Sequence, residues 1–188
     1  LGVGENLDTA GFQTLKVSES VDRLLVQLDR PEVRNAIDQL MVDELHAVCA
    51  YLERTPKIMV LSGTPADPET GAKGVFASGA DIAQLRERRR DDALAGINSG
   101  IFDRIAKLPM PVIAALDGFA LGGGAELAYA ADFRIGTPEL RMGNPETGLQ
   151  RPGGLRGFRV RVFDVLGLVQ DHPGPFDGIK RFFIPQQQ

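Results

Sequence analysis

Cysteine, histidine and long apolar runs are scarce in this sequence of 188 residues, and each scarcity removes a class of protein. The one cysteine, Cys49, cannot close an internal disulfide or build a cysteine-rich zinc site, so nothing points to an oxidising compartment. The two histidines, His46 and His172, stand in no recognisable triad context, which argues against a serine hydrolase. No apolar run approaches the roughly 18 residues a membrane helix needs. The opening residues, Leu1 to Asp8, lack the positive stretch and apolar core of a secretory leader. Net charge is −4, so a broad basic surface for nucleic acid is missing as well. The expectation is a cytoplasmic protein without membrane or nucleic-acid partners.

What is present is an ordinary globular composition, 43% hydrophobic and 24% charged, at a length that suits one domain with an appendage. Leu24, Leu25, Val26 and Leu28 read as a strand that ends at the Asp29-Arg30-Pro31 turn. Ile37, Leu40, Met41, Leu45, Val48 and Leu52 recur at three- and four-residue spacing, one face of a helix that Pro56 stops. His46 and Cys49 lie on that helix and read as packing residues. Ile58 to Leu61 is a short buried strand, followed by a Pro/Gly/Asp-rich loop over residues 64–74.

The dense mixed charge from Arg86 to Asp92 reads as a solvated face, with a phosphate or RNA site as the sharper alternative. Leu94, Ile97, Ile101, Ile105 and Leu108 define a second amphipathic helix, closed by Pro109 and Pro111. Val112 to Leu116 and Phe133 to Ile135 read as further strands. Strands alternating with helices indicate an α/β fold with a substantial parallel sheet. No internal sequence repeat is visible.

Three segments have the makings of a site. Gly122-Gly123-Gly124, between a buried strand and a helix, lets a substrate approach the backbone without a Cβ in the way, unless it is merely a flexible turn. Unpaired N–H groups at a helix start suit an oxyanion. The run to Leu127 gives G-x-G but lacks the third small residue of a dinucleotide fingerprint. Phe76-Ala77-Ser78-Gly79-Ala80-Asp81-Ile82 brings small residues to a second acidic helix start, and no nucleophile elbow surrounds Ser78. The third feature is a carboxylate pair: Glu126 in the first turn after the glycines, and Glu146 in the turn-rich Gly143 to Gly148. Two carboxylates facing one site could hold and activate a water, although each alone reads as a helix-dipole or surface residue.

In combination these segments resemble the crotonase superfamily, and its enoyl-CoA hydratases in particular. The residues that carry the resemblance are Arg30-Pro31-Glu32-Val33-Arg34-Asn35-Ala36, Phe76 to Ile82, Pro111 to Leu127, and Asn144-Pro145-Glu146. They stand in the family's order and spacing, over about residues 17–149.

The resemblance implies a crotonase-like spiral of ββα units and an acyl-CoA thioester substrate. It implies an oxyanion hole from the backbone N–H groups of Ala80 and Gly123, with Ser78, Asp81, Ile82 and Gly122 along the substrate. Glu126 and Glu146 match the two catalytic glutamates, which favours hydration of a trans-2-enoyl thioester over isomerase, decarboxylase or other acyl-CoA lyase chemistry. No metal or redox cofactor is implied, since coenzyme A belongs to the substrate. A homotrimer or hexamer is the family's assembly.

The resemblance fades after Leu149. Residues 150–188 hold five of the ten Phe, are rich in Gly, Arg and Pro, and show no long helical pattern. Residues 1–149 are therefore read as a crotonase-like core, and 150–188 as an atypical segment where the family's C-terminal helices are expected. A shifted reading frame in GC-rich coding DNA would leave such a text; an authentic divergent tail is the competing account. With that segment altered, a catalytically impaired acyl-CoA-binding remnant is the alternative to a working enzyme.

Overall fold

The computed structural model describes residues 7–79, 97–143 and 182–183. Two strands open it, β1 (Leu15–Glu19) and β2 (Arg23–Leu28), paired as an antiparallel hairpin. Along β2, Leu24, Val26 and Leu28 are wholly buried while Leu25 is partly exposed, the period-two alternation of a strand with one face in the core. After a 3-10 turn at Pro31–Val33, Arg34 and Asn35 both take positive φ, 54° and 53°. The chain then enters helix α1 (Gln39–Arg54).

Asp38 caps α1: its Oδ1 accepts from Met41 N at 2.8 Å. Its Oδ2 lies 3.0 Å from the Arg30 guanidinium, which also donates to Ala36 O at 2.7 Å. The buried face of α1 is the expected stripe, Met41, Leu45, Val48 and Leu52. Helix α2 (Ile97–Ala106) packs on it through Ile101 and Ile105, and Arg104 grips Glu53 with two 2.8 Å bonds.

From here the chain repeats one manoeuvre. A strand runs in a large sheet, a three-residue strand follows in a small sheet, and a helix leads back. Thus β3 (Ile58–Ser62) precedes β4 (Val75–Ala77) and α2, and β5 (Val112–Leu116) precedes β6 (Phe119–Leu121) and helix α3 (Gly123–Tyr129). Next, β7 (Phe133–Gly136) precedes β8 (Arg141–Gly143).

Among the described residues the large sheet has the order β1-β2-β3-β5-β7-β9, with β9 (Phe182–Phe183) antiparallel at the far edge. Its four central strands are parallel. The small sheet, β4-β6-β8, is wholly parallel. The ββα unit thus recurs in geometry although no sequence repeat is visible.

The corners of successive units are tied together by Asp117. Its Oδ1 accepts from Thr137 Oγ1 at 2.9 Å and its Oδ2 from Ala66 N at 2.8 Å, so one carboxylate joins the corner of its own unit to those before and after it. No helix among the described residues is long and apolar enough to cross a membrane.

Candidate active site

Parallel strands place their C-terminal ends on one side, and ligands of α/β proteins bind beyond those ends. In the small sheet three ends meet: residues 77–79 after β4, 122–124 after β6, and 143 at the end of β8. Gly122 N donates to Gly143 O at 2.9 Å, joining the glycine loop to the residue before Asn144-Pro145-Glu146. Register pairs Ala77 with Ala120 and Leu121 with Gly143.

The glycines let these backbones close on one another. A Cβ on Gly124 would stand 2.3 Å from Ala77 O, so the first turn of α3 lies directly against the end of β4. Gly79, at φ +110°, passes the other side of the turn: a Cβ there would be 3.3 Å from Leu121 O and 3.8 Å from Gly123 N. The first and second segments singled out in the sequence are therefore neighbours in space.

Each side chain is held by its element. Glu126, one turn into α3, is exposed, and its backbone N–H donates to Gly122 O at 3.1 Å. Ser78 is exposed, its N–H donating to Arg34 O at 3.1 Å. Gly122 and Gly123 are half-buried at the turn. The other predicted site residues, Ala80, Asp81, Ile82 and Glu146, lie outside the described residues, as does nearly all of 150–188.

The single cysteine offers no nucleophile. Cys49 is buried in α1, and burial pushes its thiol up to about 12, so it carries no thiolate at neutral pH. His46 Nδ1 lies 3.1 Å from the Arg104 guanidinium, in the α1–α2 contact.

Known proteins match this arrangement. The family model described as enoyl-CoA hydratase/isomerase matches residues 18–159. The chain belongs to the enoyl-CoA hydratase/isomerase family.

Relatives of this hydratase/isomerase-family chain include the human enoyl-CoA hydratase domain-containing protein 2, mitochondrial. The two are 40% identical over 124 residues, which is 65% of this chain and 41% of the human protein. The short-chain-enoyl-CoA hydratase of Clostridium acetobutylicum is 33% identical over 146 residues, 77% of this chain and 54% of the relative. Among solved structures, an enoyl-CoA hydratase from Thermoplasma volcanium superposes with a TM-score of 0.63 at 31% identity, covering 77% of this chain and 56% of that one. The Bacillus anthracis enoyl-CoA hydratase gives 0.64 at 26% identity, covering 73% and 53%. The chain spans about half the length of the curated relatives it matches.

Two residues that shape the site of this family member had been given no role in the sequence analysis. Arg134 is buried in β7 and donates to the carbonyls of Ala128 (3.3 Å), Tyr129 (3.4 Å) and Ala131 (2.6 Å), closing the C-terminal end of α3. Burial lowers its pKa from the ordinary arginine value. A charged residue at an inward position of a short strand was the available signal. Asn35 is the other. It is wholly buried, and its amide hydrogens face Thr64 Oγ1, Val75 O and Phe76 O.

Proposed function

We propose that this chain is an enoyl-CoA hydratase, adding water across the double bond of a trans-2-enoyl-CoA thioester. The observation that carries the reading is the meeting of Gly79 and Gly123 N beside the half-buried glycine turn, with exposed Glu126 one helical turn away.

In this reading the backbone N–H groups of Ala80 and Gly123 hold the thioester oxygen as it becomes enolate-like. Donors placed in advance need no reorganisation as charge develops, and one such donor is worth roughly 3–4 kcal/mol of barrier. Glu126 and Glu146 hold one water. Glu126 takes a proton from it as the water oxygen bonds to Cβ, and the π electrons move towards the carbonyl. Glu146, protonated at the outset, then gives its proton to Cα as the enolate collapses, and the proton held by Glu126 passes back to Glu146 to restore the starting state. Ser78, Asp81, Ile82 and Gly122 line the coenzyme A moiety. Oxyanion stabilisation and proton transfer suffice, so the reaction as written requires no metal or redox group.

The test is loss of the enoyl absorbance of crotonyl-CoA. The chain is expected to turn over, and Glu126→Gln and Glu146→Gln to lower kcat at least ~100-fold, the size of one general acid–base contribution. Migration of a 3-enoyl double bond without hydration would move the assignment to the isomerases. A folded sample with neither activity would leave an acyl-CoA-binding remnant.

A further inference from the structure

Asn35 lies 40 and 41 residues from the β4 carbonyls it touches, and every polar atom of its side chain is used. Its Oδ1 accepts from Arg30 N at 2.8 Å, closing the turn from within. Its Nδ2 faces Val75 O at 3.0 Å, Phe76 O at 3.1 Å and Thr64 Oγ1 at 3.1 Å. Carbonyls on one side and an N–H on the other admit only one orientation of the amide. The residue is wholly buried at φ 53°, a backbone region that asparagine tolerates better than most side chains.

Two backbone bonds extend the grip. Ser78 N donates to Arg34 O at 3.1 Å, and Ile37 N donates to Gly79 O at 2.8 Å. The turn at residues 30–37 therefore clamps β4 and the residues after it along their length. The opposite side of that segment is pressed against Gly124, Leu121 O and Gly123 N.

We infer that Asn35 is a positioning residue for catalysis: through Val75 O and Phe76 O it sets how closely the β4–Gly79 backbone approaches the Gly122–Gly123 turn, and so the placement of the Gly123 amide donor. The inference rests on the hydratase reading, because that placement matters only if Gly123 N serves the thioester oxygen. An oxyanion is fully formed only in the transition state, so misalignment lowers kcat more than it raises KM.

The experiment compares three variants of the full chain. Asn35→Gly keeps the left-handed backbone and removes the amide. Asn35→Asp keeps an acceptor for Arg30 N and removes the donors. Val48→Ala, in the wholly buried face of α1, supplies a loss of thermal stability remote from the turn. Both Asn35 variants are expected to lose about 10–100-fold in kcat with KM within about three-fold, the scale of a misplacement near 1 Å.

Two further readouts separate positioning from general weakening. The infrared shift of the bound crotonyl-CoA carbonyl should shrink in both Asn35 variants, and the Ser78 and Ile37 amides should exchange at least about ten-fold faster than in Val48→Ala. Unchanged carbonyl shift and kcat in the Asn35 variants would overturn the inference, as would an equal kcat loss in Val48→Ala. A wild-type chain with neither turnover nor carbonyl shift would instead refute the hydratase reading, and the role of Asn35 in it.

Discussion

Gly124 rests on Ala77 with no room for a side chain between them. The Ala77 carbonyl oxygen would be 2.3 Å from a Cβ at position 124, and its carbonyl carbon 2.8 Å. The obstacle is backbone, which cannot swing aside as the tip of a flexible side chain could. The contact joins the first turn of α3 to β4, so it links the helix bearing Glu126 to the segment bearing Ser78.

Gly124→Ala is therefore expected to destabilise the chain by about 3 kcal/mol, at the upper end for an overpacked interior. Urea unfolding reads the loss. Hydration of crotonyl-CoA should fall further than stability explains, because α3 must move off β4 to make room. A change under about 0.5 kcal/mol would mean that the two elements slide apart easily.

Arg134 offers a second test of how α3 is held. Arg134→Leu fills a similar space but abandons three carbonyls at the helix end, and is expected to cost about 3 kcal/mol. Arg134→Lys keeps the charge without the planar fork, and should fall between wild type and Leu. Thermal unfolding of the three proteins checks the order. A Leu variant as stable as wild type would show that those carbonyls find other donors.

The third prediction concerns acid. The Glu19 carboxylate takes hydrogen bonds from the Lys57 ammonium, at 2.7 Å, and from the Tyr51 hydroxyl, which lower its pKa below the ordinary glutamate range. A depressed folded pKa means that the unfolded chain binds the proton more readily. The stabilisation is then complete above about pH 4.5 and is lost as pH falls through the lower folded value. Glu19→Gln should cost about 1–2 kcal/mol at neutral pH. It should also flatten the fall in unfolding free energy below pH 4.5. Parallel acid profiles for the two proteins would contradict this assignment.

Much of the large sheet and all three described helices could be read from the chain. β2, β3 and β5 announce themselves as runs of branched apolar residues, β7 shows only through Phe133 and Ile135, and the stripe from Met41 to Leu52 is long enough to be unmistakable. The small sheet was hidden for a physical reason. Its strands are three residues long, too short for an alternation to establish itself, and Val75-Phe76-Ala77 and Phe119-Ala120-Leu121 merge into the loops beside them. β1 was obscured by its polarity, since an edge strand with three exposed residues gives little pattern.

The candidate site was legible as separate segments, and their order along the chain resembled a family. What the residues could not convey is why the segments meet: the ends of β4, β6 and β8 converge because those strands pair side by side in a sheet of their own. The contacts of Asn35 were invisible for a related reason. Hydrogen bonds from Asn35 reach across 29, 40 and 41 positions, and no local pattern records such a span.

The order of the central strands has a bearing on biosynthesis. β2, β3, β5 and β7 stand side by side in the sequence in which they are translated. A nascent chain can thus add each strand to a platform already built, without waiting for a distant partner. The same arrangement leaves one open parallel edge at every intermediate length, and an unpaired edge recruits other chains. A chain that ends between β5 and β7, for example, leaves the β5 edge open.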